Sequence, residues 1–312
     1  MSRSTRVCLY IFCTAFALAI LVYPAEHAQS ARNGLALFVS SVLPTLLPFF
    51  FLTSLITTAG IPKTNSLSRI TEKLYKTPSS DGYVTLMSVV AGYPMSAKLL
   101  GELYLAGAID ESDAESITAH SSLPGPMFIL GTVGTGLLHD GRMGVILLVI
   151  QILASLINGF LYRGKPRPQR PYIPAMKSTK NLFGSAGSSA IQSALSVGVF
   201  ITLSAILLRS ISLVGITDVL AETIGVFGID KNLTCGVVSC IVEITCGIAG
   251  LASSHLATLP VTSFALAFGG LSVGAQSVGL ASGALHAKRY FLIKFTQGII
   301  ALLISLPIQF LI

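Results

Sequence analysis

The feature that most constrains this chain is a helix-breaking motif with a lysine inside an apolar run, Gly92-Tyr93-Pro94-Met95-Ser96-Ala97-Lys98. An uninterrupted membrane helix avoids both a Gly-Tyr-Pro break and a charged side chain. Irregular backbone and ionisable groups are tolerated at membrane depth only where protein or a watery cavity surrounds them. The motif therefore indicates a binding site within a bilayer, and hence a solute carrier.

The composition is that of a multi-pass membrane protein. Of the 312 residues, 52% are hydrophobic and only 11% are charged, whereas a soluble domain carries about 25% charged residues. The net charge of +7 comes mostly from short connecting loops, where positive charge sets membrane orientation. Nucleic acid is not an expected partner, because no nucleic-acid module is present. The cysteines lie in apolar runs without metal-ligand spacing, so we expect no metal and no cofactor.

The apolar runs divide the chain into four parts. Residues 1–30 contain an N-terminal transmembrane helix, which is either retained as a signal anchor or cleaved; the run from Val7 to Tyr23 is long for a cleaved signal. Residues 31–163 and 189–312 form two gate-like repeats. Residues 164–188 form a basic loop, which the positive-inside rule places in the cytoplasm.

Each repeat is predicted to contain a long span, a broken span, a re-entrant hairpin and a closing span. The run from Met127 to Leu138 is too short to cross a bilayer, since a spanning helix needs about 20 residues, and is interpreted as one hairpin arm. The second hairpin is placed between Thr258 and Gly283, with Gly269-Gly270 near its middle. An odd number of crossings per repeat inverts the topology, as in secondary transporters. We therefore predict an all-α polytopic protein with two inverted-topology repeats after the N-terminal helix.

The register of the predicted repeat is a shift of 155 residues. This shift lays Gly60-Ile61 on Gly215-Ile216 and Gly92 on Gly247.

Four motifs resemble those of one family. They are Leu43-Pro44-Thr45-Leu46-Leu47-Pro48-Phe49-Phe50, Ala91 to Leu99, Glu243-Ile244-Thr245-Cys246-Gly247 and Phe268-Gly269-Gly270-Leu271-Ser272-Val273. The chain resembles the sporulation integral membrane proteins of the YlbJ type, which carry the nucleoside-recognition gate domain, from about Asn33 onward. The resemblance implies a cell-membrane protein of a spore-forming bacterium that moves dipicolinic acid across the outer forespore membrane. Because the gate domain is shared with nucleoside-type carriers, nucleosides or other small polar metabolites stay open as alternative substrates.

The first candidate site lies at the break in the first repeat. Pro94 suits the first turn of a half-helix, and the amides that follow it would point into the break and bind an anion. Lys98 would add a positive charge, and Tyr93 could stack on the ring of a pyridine dicarboxylate. The alternative is a packing helix in which Lys98 pairs with Glu102. The residues predicted to bind solute here are Gly92, Tyr93, Pro94, Met95, Ser96 and Lys98.

Glu243 is the second candidate, because a carboxylate in mid-span must pair, face water or become protonated. It could pair with Lys98 or couple transport to protons, while Thr245 and Gly247 form the opposing helix break. Alternatively, Glu243 belongs to a structural buried pair. The substrate-binding set is completed by His120, Ser121 and Ser122 at a predicted hairpin base and by Gln276 in the second hairpin.

The sequence argues against an enzyme, because it has no metalloprotease, nucleophile-elbow or nucleotide-binding motif. We expect a secondary transporter or channel-like carrier of a small organic anion, embedded in the lipid bilayer. A non-transporting structural membrane protein of spore assembly is the other class left open. The expected protein partners are a second copy of the chain, forming a homo-oligomer, or spore-membrane proteins.

Overall fold

The computed structural model describes residues 3–59, 66–165, 181–226, 228–256 and 258–311. Within these ranges all regular elements are helical, as an apolar chain requires in a solvent that cannot hydrogen-bond its backbone. Most of the predicted basic loop, and the Gly60-Ile61 part of the predicted repeat, lie outside the described residues.

The first half of the chain begins with one long interrupted helix. In it, α2 (Pro24–Leu37) and α3 (Leu43–Ala59) are joined through a π-helical turn, π1 (Phe38–Val42), shortly before Pro44. The elements are α1 (Arg3–Val22), α2 (Pro24–Leu37), π1 (Phe38–Val42), α3 (Leu43–Ala59), α4 (Ser66–Tyr75), α5 (Asp81–Ala91), α6 (Tyr93–Leu105), α7 (Glu111–Ser121), π2 (Phe128–Leu137) and α8 (Gly141–Leu161). The predicted break at Gly92 is confirmed, since α5 ends before it and α6 begins after it.

The second half has the same order of a folded pair, a broken helix and a closing helix. Its elements are α9 (Leu182–Leu213), α10 (Ile216–Gly225), α11 (Lys231–Val242), α12 (Ile244–Ser253), α13 (Leu259–Phe268), α14 (Gly270–Leu280) and α15 (Ala287–Gln309). Five stretches in the described ranges are helical, long and apolar enough to cross a membrane: Pro24–Ile56, Gly141–Leu161, Leu182–Leu213, Leu259–Leu280 and Ala287–Gln309.

The second hairpin lies at α11 and α12, not where the sequence placed it. These two helices fold back on each other: Gly247 of α12 lies against the backbone of Cys240, and Gly236 of α11 lies against Leu251. The break between them falls at Glu243, whereas the predicted register paired Gly92 with Gly247. The break thus lies about one helical turn before Gly247, and the register of the repeat stays a prediction.

The predicted hairpin from Thr258 to Gly283 is instead a broken helix that runs in one direction. Both of its halves follow α15, since Gly298 of α15 lies against Phe264 of α13 and Gly274 of α14 lies against Phe291. The hairpin prediction for this stretch was wrong because a glycine pair can kink a span as well as reverse it.

The first half differs from its prediction in the same way. The run from Met127 to Leu138 forms π2, which packs against α8 rather than folding back on α7. The helices that do pack on each other are α5 and α6, on either side of Gly92. The stretch predicted as a broken span thus belongs to a folded pair, while α7 and π2 flank an irregular segment at residues 122–125. The inverted relation between the two halves stays a prediction.

Candidate functional site

Glycines allow the helix breaks to touch one another. Gly92 has a φ of 86°, and a Cβ there would lie 2.7 Å from the backbone nitrogen of Gly125 in the irregular segment after α7. Gly270 has a φ of 74°, and its Cβ would lie 2.9 Å from the carbonyl oxygen of Cys240 near the α11–α12 tip. Only glycine combines a positive φ with so close an approach. Each helix break therefore packs directly on the backbone of another element.

Tyr93 connects these two contacts. It is the first residue of α6, is buried, and lies with its ring 3.7 Å from the Cβ position of Gly269. The breaks of both halves therefore meet around one aromatic ring. This is the arrangement that places a solute between broken helices in secondary transporters.

A small cavity lies at this meeting point. Its walls are mostly apolar, and its polar side chains are few. It is lined by Val42, Leu46, Phe50, Ala91, Gly92, Tyr93, Gly125, Phe128, Val197, Ile201, Glu243, Ile244, Thr245, Val273 and Gln276. We call it the ring chamber after the Tyr93 ring. Its apolar lining with a few polar groups is typical of small-molecule sites.

A second, larger cavity shares Phe50 and Gln276 with the ring chamber. It is lined further by Met95, Lys98, Ser189, Gln192, Ser193, Ser196 and Leu280. The serines and the glutamine come from α9 at helical spacings of three, four and seven residues, so they share one face of that helix. We call this cavity the polar chamber. A cation and several hydrogen-bonding groups thus lie beside an apolar chamber.

Lys98 faces the polar chamber. Its Nζ donates a hydrogen bond to Ser189 Oγ at 3.0 Å, and the side chain is half-buried. It does not form the predicted pair with Glu243, nor the alternative pair with Glu102. Both pairings were wrong because the register of α6 turns Lys98 toward α9.

Glu243 forms the tip of the α11–α12 hairpin. It is 2% exposed and extended in backbone conformation, and its carboxylate accepts a hydrogen bond from the backbone nitrogen of Cys246 at 2.7 Å. Glu243 is therefore the N-cap of α12, and it makes the break that the sequence assigned to Thr245 and Gly247. Thr245 lines the ring chamber, while Gly247 lets α12 approach α11.

The N-terminus of α6 faces the same chamber without such a cap. Its N-cap is Gly92, which has no side chain to accept from the first turn, and both Gly92 and Tyr93 line the ring chamber. Pro94 lies in the first turn, as predicted. A helix N-terminus carries unsatisfied N–H groups and about half a positive charge. One chamber thus contains a helix tip capped by a carboxylate and a second tip free of any side-chain cap.

Of the other predicted residues, some line a chamber and some do not. Met95 lines the polar chamber, and Ser96 instead donates to the carbonyl oxygen of Tyr93 at 3.0 Å. His120, Ser121 and Ser122 are buried at the end of α7, and none of them lines either chamber. Gln276 lines both chambers.

His120 takes part in a buried cluster that the sequence did not reveal. Its Nε2 lies 3.0 Å from Asp81 Oδ1, and the ring of Tyr75 stacks on it with centroids 4.1 Å apart. Asp81 also accepts hydrogen bonds from the hydroxyls of Thr77 and Thr85. The cluster fastens the end of α7 to the start of α5.

Lys294 is the main functional candidate that sequence reasoning missed. It lies in α15 with 0% exposure, and its Nζ donates to the carbonyl oxygen of Ser122 and to Gln297 Oε1, the latter at 2.7 Å. The same ammonium lies 5.5 Å from the centroid of the Tyr93 ring. The sequence carries the same signal at Lys294 as at Lys98, namely a lysine inside an apolar run.

Sequence comparison agrees with the motif resemblance. Sporulation integral membrane protein YlbJ of Bacillus subtilis (strain 168) is 27% identical over 325 aligned residues, covering 94% of this chain and 79% of that protein. No family model matches the chain. The similarity along nearly the whole length confirms the resemblance to the YlbJ type that the motifs indicated.

Structural comparison identifies the fold. The chain resembles the structure of CNTnw in an inward-facing substrate-bound state, with a TM-score of 0.55 and 15% identity over 97% of this chain and 85% of that chain. At this identity the likeness establishes the fold alone. The predicted all-α, polytopic membrane architecture is confirmed.

Proposed function

We propose that this protein is a carrier that moves a small organic anion across a membrane during sporulation, without changing it chemically. The observation that carries the proposal is the uncapped N-terminus of α6, which opens into the ring chamber beside the chamber that contains Lys98. The similarity to a sporulation membrane protein and the transporter-like fold support it.

Glu243 provides an internal example of how a carboxylate binds here. Its oxygen caps the N-terminus of α12 through the backbone nitrogen of Cys246. In α6 the amide at the corresponding position, Met95 N–H, already donates to the carbonyl oxygen of Gly92 at 3.2 Å, and Pro94 has no N–H. A carboxylate on the solute would therefore be attracted by the positive end of the helix dipole and by the N–H of Tyr93. The preference for an anion therefore rests on two positive groups, the N-terminus of α6 and the ammonium of Lys98.

The aromatic residues of the ring chamber and the polar groups of the polar chamber suit a planar dianion. A ring can lie in the ring chamber against Phe50 and Tyr93, while a second carboxylate lies near Lys98 and the hydroxyl face of α9. Charge-assisted hydrogen bonds of this kind are about twice as strong as neutral ones. Dipicolinate has this shape and charge, and the outer forespore membrane is the proposed location.

The test is uptake of radiolabelled dipicolinate into proteoliposomes by the wild type and by Lys98→Ala. We expect saturable uptake in the wild type and a loss of about tenfold or more in Lys98→Ala, because a charge-assisted hydrogen bond contributes roughly 1.5–3 kcal/mol. Lys73→Ala is the matched control, since Lys73 is exposed on α4. Equal uptake by the two variants would refute the role of Lys98.

A nucleoside carrier is the second candidate function. It is favoured by the carboxylate of Glu243 and the amide of Gln276 in an otherwise apolar chamber, since such groups suit sugar hydroxyls and base edges. Uptake of labelled nucleosides in the same proteoliposomes separates the two. Nucleoside uptake without dipicolinate uptake would replace the anion proposal, and absence of both would favour a structural role in spore assembly.

A further inference from the structure

Lys294 is a buried lysine without a carboxylate partner among the residues that the structure describes. Its side chain is fully buried in the interior of α15, and the hydrogen bonds that it donates go to neutral oxygens. A buried charge of this kind is costly and is retained mainly where it has a role. The neighbours of Lys294 indicate what that role is.

The ammonium lies against two oxygens and an aromatic ring, groups that also attract a free monovalent cation. The carbonyl oxygen of Ser122 lies directly after the C-terminus of α7, where the helix dipole is negative. Gln297 adds an amide oxygen, and the Tyr93 ring adds a cation–π contact. In secondary transporters, carbonyl oxygens freed at broken helices are the groups that coordinate coupling ions. Here Lys294 already uses such an oxygen.

Lys294 does not line either chamber. It lies behind Tyr93, whose ring lines the ring chamber and also contacts the ammonium. Lys294 therefore contacts the wall of the ring chamber at Tyr93 and the irregular segment after α7 at Ser122.

We propose that Lys294 is a tethered cation: its ammonium occupies a cation-binding site formed by the Ser122 carbonyl, Gln297 and Tyr93, so that the protein needs no free sodium ion there. Removing the side chain leaves a site that a free monovalent cation fills. The consequence that transport is sodium-independent rests on the proposed carrier function, whereas the cation site itself does not.

The test is the thermal stability of the purified full chain in choline, sodium or methylammonium chloride at equal ionic strength. We expect the same Tm for the wild type in choline and sodium. Lys294→Ala should lose about 5 °C or more in choline and recover most of that loss in sodium or methylammonium. Lys294→Met, whose side chain fills the space, should have a lowered Tm that neither sodium nor methylammonium restores. Lys288→Ala, an exposed lysine of α15, should behave as the wild type.

Several outcomes would overturn the proposal. They are a Lys294→Ala variant whose Tm no cation raises, a wild type that sodium stabilises as much as that variant, or recovery of Lys294→Met by the same cations. If Lys294→Ala folds only when purified in methylammonium, the site is supported; if it folds in none of the three salts while Lys294→Met folds, the site is refuted. Because these measurements need no flux, they stand apart from the uptake assay. Sodium-dependent uptake by the wild type would refute the coupling consequence alone.

Discussion

At the scale of single residues, Tyr93 is the point where both halves meet. Its ring faces the ring chamber, lies near the Cβ position of Gly269 and contacts the ammonium of Lys294. Its buried hydroxyl has no hydrogen-bond partner among the described residues. The ring therefore packs where the breaks meet, and the hydroxyl adds no hydrogen bond between the described residues there.

The different surroundings of the Tyr93 ring and hydroxyl predict different effects of two substitutions on the Tm. Tyr93→Phe should leave the Tm unchanged or slightly raised, because a buried hydroxyl without a partner costs about 1–3 kcal/mol of desolvation. Tyr93→Leu should lower the Tm, because it removes the cation–π contact, a loss of roughly 0.5–2 kcal/mol. Thermal unfolding of the two variants beside the wild type measures both effects. A Tm that falls in Tyr93→Phe would show that the hydroxyl has a structural partner.

At the scale of elements, the sequence located the helix breaks better than it located the folds. The break at Gly92 was predicted correctly because Gly-Tyr-Pro is a strong local signal. The start of α7 also depends on a local feature, because the Asp110 side chain caps its first turn. Whether a break reverses the chain depends on its neighbours. The close approach of Gly247 to Cys240 makes α11–α12 a hairpin, and no single-sequence pattern encodes that contact.

The chambers were predictable only in part, for the same reason. Lys98 and Glu243 were selected as unusual charges, but their partners, Ser189 and the Cys246 amide, follow from helix packing and from an extended residue at the tip. Lys294 needed only the rule already applied to Lys98. A charged residue inside an apolar run can be found from the sequence alone. Its role depends on the partners that helix packing places beside it.

Glycines within one short helix offer a matched test of the hairpin. A Cβ at Gly247 would lie 2.3 Å from the backbone nitrogen of Cys240, whereas one at Gly250 would have nothing within 4 Å. Gly247→Ala should destabilise the protein by about 1–3 kcal/mol and reduce uptake. Gly250→Ala should stabilise it by up to about 1 kcal/mol through helix propensity. Thermal unfolding in one buffer compares them, and equal stability of the two variants would contradict the hairpin.

At the scale of the whole molecule, buried amides join the two halves. Asn158 of α8 is fully buried, and its Nδ2 donates to the carbonyl oxygens of Ala119 in α7 and Ile293 in α15, at 2.9 and 3.3 Å. Gln151 of α8 donates to the carbonyl oxygen of Ser263 in α13 at 2.9 Å. Interhelical hydrogen bonds hold membrane helices together where the hydrophobic effect cannot. α8 thus links the broken helices of both halves.

The exposed ion pair between Arg289 and Glu115 connects α15 to α7 as well, with 3.1 Å between Arg289 Nε and Glu115 Oε2. Exposed pairs contribute roughly 0–1 kcal/mol. Asn158→Leu removes the donor to the Ala119 carbonyl, and an unpaired buried carbonyl costs about 1–3 kcal/mol, whereas the Ile293 carbonyl still accepts from Thr296 Oγ1 at 2.8 Å. Asn158→Leu, which is similar in size, should therefore lower the Tm clearly more than Arg289→Ala. On the proposed carrier function it should also reduce dipicolinate uptake, because alternating access in secondary transporters moves one half as a unit against the other. Thermal unfolding and uptake on the same preparations check both effects. If Arg289→Ala proved the more damaging substitution, the surface contact and not the buried amide would hold the halves together.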